Sequence, residues 1–381
     1  MKHRERVKKA YNHKEADRVP ICIGGTAQKF SKTVYHAIKK SLNIYDDYKK
    51  DQILDELGNV IYYNPKVLEY FDSDFRHIQI NRMPMLENFK DGLSRHELGF
   101  KTKISTNGEI VNIVSHPLKD ATESDINNYK WPDPGDKRRF AGLKEEAKKL
   151  AEETDYAIAS YKATLLGIFD LACIMRGMEN FLIDVITNKK FTEKLLDKIL
   201  EFNFLVYEGM LKEIGQYLDL VEFNDDLGTQ NNLIISPEIY RRYIKHRHKQ
   251  MVEMFKKEAK SAKVLLHCCG SVYDIIPDFI EIGIDVLNPI QPLANKMDTY
   301  KLKKEFGRDI CFQGGIDLQQ ALRGCPEDVE REVNERIKSL APGGGYVLSS
   351  ANNITSDIPI NNIFKLFEFA KKFGKYPLKI Q

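Results

Sequence analysis

No uninterrupted apolar run in this chain approaches the ~20 residues needed to cross a bilayer, so no membrane-spanning helix is expected. The opening stretch, Met1 to Asp17, lacks the apolar centre of a secretory signal and is polar and charged instead. Excess charge of one sign is also missing: 58 Lys+Arg against 55 Asp+Glu leave a net charge of +3. The basic residues lie along helical stretches such as 256–263 rather than in a tail, which gives no electrostatic footprint for nucleic acid. Cysteine is sparse. Six residues, Cys22, Cys173, Cys268, Cys269, Cys311 and Cys325, form no dense framework. A reducing, cytoplasmic setting follows, in which a special cysteine is a ligand or nucleophile and not a bridge. Repeats, low-complexity tracts, a P-loop, an early G-x-G-x-x-G and a G-x-S-x-G elbow are all absent.

What is present is a regular alternation. Short apolar runs at 21–23, 156–160, 218–223, 264–266, 285–287, 310–312 and 346–348 are separated by helical stretches. The helices are expected over 143–154, 165–176, 191–213, 272–282, 300–306, 326–340 and 360–373, and another opens at Ser236-Pro237. Apolar runs alternating with amphipathic helices mean βαβ units and a parallel sheet. The expected fold class is α/β: one (β/α)8 TIM barrel domain over residues 1–381, carrying an N-terminal helix at 4–12. Seven strands are marked in this way and the eighth is not, which leaves an open doubly wound sheet as the alternative. Residues 77–115 alternate apolar and polar around Asn107-Gly108, the signature of a hairpin, and read as an antiparallel insertion outside the barrel.

Polar or glycine-rich residues follow every predicted strand. They include Gly24-Gly25-Thr26, Tyr161, Asn224-Asp225-Asp226-Leu227-Gly228, His267-Cys268-Cys269-Gly270, Asn288, Gln313-Gly314-Gly315 and Ser349-Ser350-Ala351-Asn352. In a parallel barrel these loops open on one face, and that face carries the site. His267 and Cys269 stand at i and i+2 and therefore point the same way, whereas Cys268 points into the barrel wall. Imidazole plus thiolate suits a zinc ion. The other reading makes His267 a helix-capping histidine and Cys269 a small buried residue. Asp225-Asp226 reads as general acid/base, as a metal carboxylate, or as a capping pair beside Gly228.

The same motifs resemble the uroporphyrinogen decarboxylase superfamily, and more closely its methyltransferase-like branch. The resemblance runs from Arg4-Glu5-Arg6-Val7 and Asp17-Arg18-Val19-Pro20 through Tyr70-Phe71-Asp72-Ser73-Asp74-Phe75-Arg76 and Arg176-Gly177-Met178-Glu179-Asn180-Phe181. It continues through Asp225-Asp226-Leu227-Gly228-Thr229-Gln230 and the His267-Cys268-Cys269-Gly270 unit to Pro342-Gly343-Gly344-Gly345-Tyr346. It implies a (β/α)8 barrel with its site at the C-terminal mouth. Decarboxylases of this superfamily work without cofactor and hold acidic substrates with an arginine-bearing loop after the first strand. Here that loop is Gly24-Gly25-Thr26-Ala27-Gln28 and has no arginine.

For the methyltransferase branch the resemblance implies a zinc on His267 and Cys269, with a third ligand in the last strand-end loop. That zinc activates a thiol taking a methyl group from a corrinoid on a partner protein. The third position falls at Asn352, a poor zinc ligand, so either Asp226 or a cysteine out of register completes the set, or the metal is absent and the pocket reused. The expected catalytic residues are Asp225, Asp226 and Tyr161. Asp74, Asn288, Gln313 and Asn352 are the expected contacts to a small-molecule substrate. The resemblance further implies a homodimer. A cofactor-free decarboxylase and a non-catalytic ligand-binding barrel are the alternatives.

Overall fold

In the computed structural model residues 1–46, 48–49, 52–55, 60–89, 92–106 and 111–378 are described. Seven parallel strands form one sheet, each paired with its neighbour in sequence. They are β1 (Phe75–Ile78), β2 (Ala157–Ser160), β3 (Leu220–Asn224), β4 (Lys263–His267), β5 (Val286–Ile290), β6 (Cys311–Ile316) and β7 (Tyr346–Ser350). All residues of β2, β3, β5, β6 and β7 are buried. Burial on both faces is why the first residues of these strands are mostly apolar, with buried polar side chains such as Glu222, Asn288 and Gln313 further along them.

Residues 20–23 close the ring between β7 and β1. Ile21 bridges Leu348 in parallel. The Cys22 N–H donates to the Leu348 carbonyl, and the Asp74 N–H donates to that of Ile21. The sheet is thus a TIM barrel, as expected. The unmarked strand was β1. The reading of 77–115 as insertion placed His77 and Ile78 outside the barrel, but they pair in parallel with Ala159 and Ser160. Arg76 and Ile78 face one side of β1 and His77 the other, where it meets Glu222 inside the barrel.

The insertion itself is a four-stranded antiparallel sheet of Glu87–Asn88, Leu93–Arg95, Lys101–Ile104 and Val111–Ser115. Ile104 opposes Val111 across its last hairpin. The predicted Asn107-Gly108 turn lies outside the described residues.

Two apolar cores result. The larger lies between the strands and the surrounding helices. The smaller fills the barrel floor with Phe75, Ala157, Leu220, Leu265, Val286, Cys311 and Val347. Helix α1 (His3–Tyr11) plugs that floor with Val7 and Tyr11, both buried. Above the floor the interior turns polar, and this change of polarity along the barrel axis positions the site. Among the described residues no helix is long and apolar enough to cross a membrane.

Candidate active site at the barrel mouth

The ends of β3 and β4 lie side by side, with Asn224 opposite His267. The pairing runs one step further: the Asp225 N–H donates to the His267 carbonyl at 2.9 Å. Alternation then sorts the side chains. His267 and Cys269 turn to the mouth, with Cys269 Sγ 3.3 Å from His267 Nε2. Cys268 turns outward into the larger core, fully buried, where its sulfur accepts from the Leu227 N–H. Asp226 reaches in from β3 and sets Oδ1 3.7 Å from His267 Nε2. The same oxygen accepts the Cys269 N–H at 2.7 Å. One ligating atom from each of Asp226, His267 and Cys269 lies within 4.8 Å of the others.

This donor set fits zinc by its chemistry. His267 Nδ1 is 2.7 Å from Asn288 Oδ1, which fixes the tautomer as Nδ1–H and leaves the Nε2 lone pair toward the cluster. Burial holds His267 below the ordinary histidine range, and Lys162 and Lys29 add to that effect against Asp226 and Asn288. The imidazole is therefore neutral. Burial, followed by the Asp226 carboxylate, raises the Cys269 thiol well above its usual value. A cation among these groups would reverse that preference.

The remaining candidates fall into distinct places. Asn352 donates from Nδ2 to Cys269 Sγ at 3.6 Å. It touches the sulfur as a hydrogen-bond donor, and the third group clustered with His267 and Cys269 is the Asp226 carboxylate. Asn288 is fully buried and holds His267 in place, so its amide faces the histidine and not open space. Gln313 points down the barrel and accepts the Tyr11 hydroxyl at 2.6 Å. Tyr161 stands at the mouth, and its hydroxyl accepts from Lys29 Nζ at 2.7 Å. Asp225 turns away from the cluster: its carboxylate accepts the Phe169 and Asp170 N–H groups, each at 2.9 Å, and meets His248 Nε2 at 2.8 Å. Of the adjacent carboxylates, Asp226 faces the site and Asp225 is the capping partner.

Asp74 corrects the expectation more sharply. It precedes β1, at the floor end of the barrel, and is fully buried. Arg6 Nη1 at 2.6 Å, Arg18 Nη1 at 2.8 Å and His3 Nδ1 at 2.7 Å converge on its carboxylate. It pins α1 to the floor end of the barrel through Arg6 and His3.

Three groups escaped the sequence reading. Lys29 is fully buried and donates to the Thr26 carbonyl at 2.6 Å as well as to Tyr161. Glu222, inside the barrel, accepts the Thr26 N–H and hydroxyl at 2.8 and 2.9 Å and meets His77 at 3.1 Å. Burial alone would raise its pKa, but His77 and Thr26 hold the carboxyl below the usual range. A lone carboxylate within Leu220-Val221-Glu222-Phe223 was the signal that could have revealed it. Asp170 is the third. Beside Tyr161 a small cleft of about 70 Å³ opens between the mouth and the antiparallel sheet, lined by Gln79, Arg82, His96, Arg139 and Lys162.

The loops after β3 and β4 meet backbone to backbone. Gly270 has φ +85°, and a Cβ there would lie 2.5 Å from the Gly228 carbonyl carbon. Gly270→Ala is expected to cost at least about 2 kcal/mol through left-handed strain and this contact, read as a lower urea midpoint.

A closed β/α barrel with its polar side chains gathered at the C-terminal mouth is an enzyme architecture, and this chain has it. The family model described as uroporphyrinogen decarboxylase (URO-D) matches residues 95–373, and the chain belongs to that family. Curated relatives carry the same name. The uroporphyrinogen decarboxylase of Prochlorococcus marinus (strain AS9601) is 22% identical over 274 residues, 68% of this chain and 71% of that protein. The one from Legionella pneumophila (strain Corby) is 24% identical over 206 residues, 52% of this chain and 54% of that protein. Among solved structures, a methyltransferase from Methanosarcina mazei shares the fold, with a TM-score of 0.66 over 98% of this chain and 99% of that one, at 17% identity.

Proposed function

We propose that this chain is a methyltransferase-like member of the family that binds zinc through Asp226, His267 and Cys269. In this reading it moves a methyl group between a small-molecule thiol and a corrinoid carried by a separate protein. The observation that carries the reading is the convergence of an imidazole nitrogen, a thiol and a carboxylate within 4.8 Å at the mouth. Zinc bound there would act as a Lewis acid and hold a substrate thiol as its thiolate. The chain's own part is positioning: Asn288 orients His267, Asn352 hydrogen-bonds the Cys269 sulfur, and Tyr161 with Lys29 borders the space for substrate. Metal analysis after purification without chelator tests the proposal. Stoichiometric zinc is expected; trace zinc with no uptake on addition would overturn it.

One observation favours a second reading, cofactor-free decarboxylation of an acidic substrate. Lys29 places a buried cation immediately after the loop that lacks arginine. Turnover of uroporphyrinogen by the metal-free protein, lost in Lys29→Met, would promote this reading over the first.

A further inference from the structure

Helix α2 (Ile168–Arg176) begins at Gly167, which offers no side chain to its first N–H groups. The cap comes instead from another part of the chain. Asp225 gives Oδ2 to the Phe169 N–H and Oδ1 to the Asp170 N–H. Gly167 permits this approach: a Cβ there would lie 2.0 Å from the Asn224 carbonyl oxygen and 2.6 Å from the Asp225 side chain. The α2 start is therefore locked to the loop after β3. Buried His248, 1% exposed, fixes Asp225 from behind.

The lock is reciprocal. Asp170, the third residue of α2, returns its Oδ2 to the Asp226 N–H at 2.8 Å. Asp226 then gives Oδ1 to the Cys269 N–H and faces His267. A continuous hydrogen-bonded path thus runs from His248 through Asp225, Asp170 and Asp226 to Cys269. Among the three clustered groups, Asp226 is the one whose backbone N–H is held by a side chain of α2. The His267 ring is fixed by Asn288 on β5, and Cys269 continues β4 directly.

Resting on the zinc reading above, we infer that Asp170 is a positioning residue: its carboxylate sets the backbone of Asp226 and thereby the place of the carboxylate ligand. It touches neither metal nor substrate in this role. Partners that orient metal ligands typically contribute 10–100-fold to affinity.

The experiment compares zinc affinity, by competition with a chromophoric chelator, in the full-length wild type and in Asp170→Ala, Asp170→Leu and Asp170→Asn. Leucine keeps the branched side-chain shape without an acceptor if alanine disturbs the start of α2. Asparagine keeps an acceptor oxygen for the Asp226 N–H. Folded Ala or Leu variants are expected to bind zinc about 10–100-fold more weakly, and the Asn variant within about threefold of wild type. In an Asp226→Ala background the Asp170 substitution should add nothing, because the ligand it positions is gone. Cobalt(II) in the Asp170→Ala protein should still show sulfur-to-metal charge transfer from Cys269, which general unfolding would abolish. Wild-type affinity in a folded Ala or Leu variant overturns the inference, as does an equal loss in the Asn variant or in the Asp226→Ala background. Failure of the wild type itself to take up zinc would instead overturn the reading on which the inference rests.

Discussion

Cys269→Ala is expected to lower zinc affinity by more than a hundredfold, while Cys268→Ala leaves it within a few-fold of wild type. The two sulfurs are adjacent in sequence and opposite in direction. Cys269 lies 3.3 Å from His267 Nε2 at the mouth. Cys268 is fully buried in the outer core. Zinc bound by side chains in small sites is held by roughly 10 kcal/mol or more at neutral pH. Shared among three protein ligands and one exchangeable position, that is roughly 3 kcal/mol per ligand, and every 1.4 kcal/mol is tenfold. The neighbouring cysteine is the internal control because its loss changes packing and not coordination. Chelator competition on both variants reads the difference. Equal zinc affinities for Cys269→Ala and the wild type would remove the proposed site.

Asp74→Ala is expected to destabilise the fold by about 3–5 kcal/mol, because it leaves two arginines and a histidine facing a buried gap. Arg6 is 6% and Arg18 is 7% exposed, so neither recovers its hydration by a small movement. The Ile21 N–H also loses its acceptor, which loosens the segment that closes the barrel. Urea unfolding measures the loss. Burial works to raise the Asp74 pKa, but His3, Arg18 and Arg6 outweigh it and hold the folded value below the usual carboxylate range. The contribution is therefore complete above the unfolded pKa of about 4 and is lost as pH falls through the lower folded value. The acid limb of the stability curve should shrink in Asp74→Ala. Zinc affinity should not change, since Asp74 sits at the floor and the cluster at the mouth. A loss of zinc binding at unchanged stability would place Asp74 in the site after all.

Much of the barrel was legible because its signals are local. Ser236 before Pro237 marks a helix start by its own chemistry, and its hydroxyl does accept the Ile239 N–H. The helices Pro326–Leu340 and Ile360–Phe373 follow from apolar spacing and from proline at or before their first turns. The direction of His267 and Cys269 followed from alternation along one strand, which holds wherever the strand is placed.

Other features depended on partners distant in sequence. The strand Phe75–Ile78 carries an arginine and a histidine. It became legible as a barrel strand only once Glu222 was there to meet His77 across the interior. Asp225 and Asp226 are the same residue type one position apart; alternation sends them opposite ways but does not say what each one meets. Their roles were assigned by what surrounds each: helix N–H groups and His248 for one, Cys269 and His267 for the other. Asp74 belonged to a motif but stood at the wrong end of its strand for the site.

The sequence by itself thus determined the barrel, the mouth and two of the clustered groups, because repeating hydrophobic runs and strand alternation are properties of neighbours along the chain. Only the tertiary structure decided the third donor and the silent carboxylates, because a charged group's role is set by which opposite charges and N–H groups the fold brings within hydrogen-bond reach.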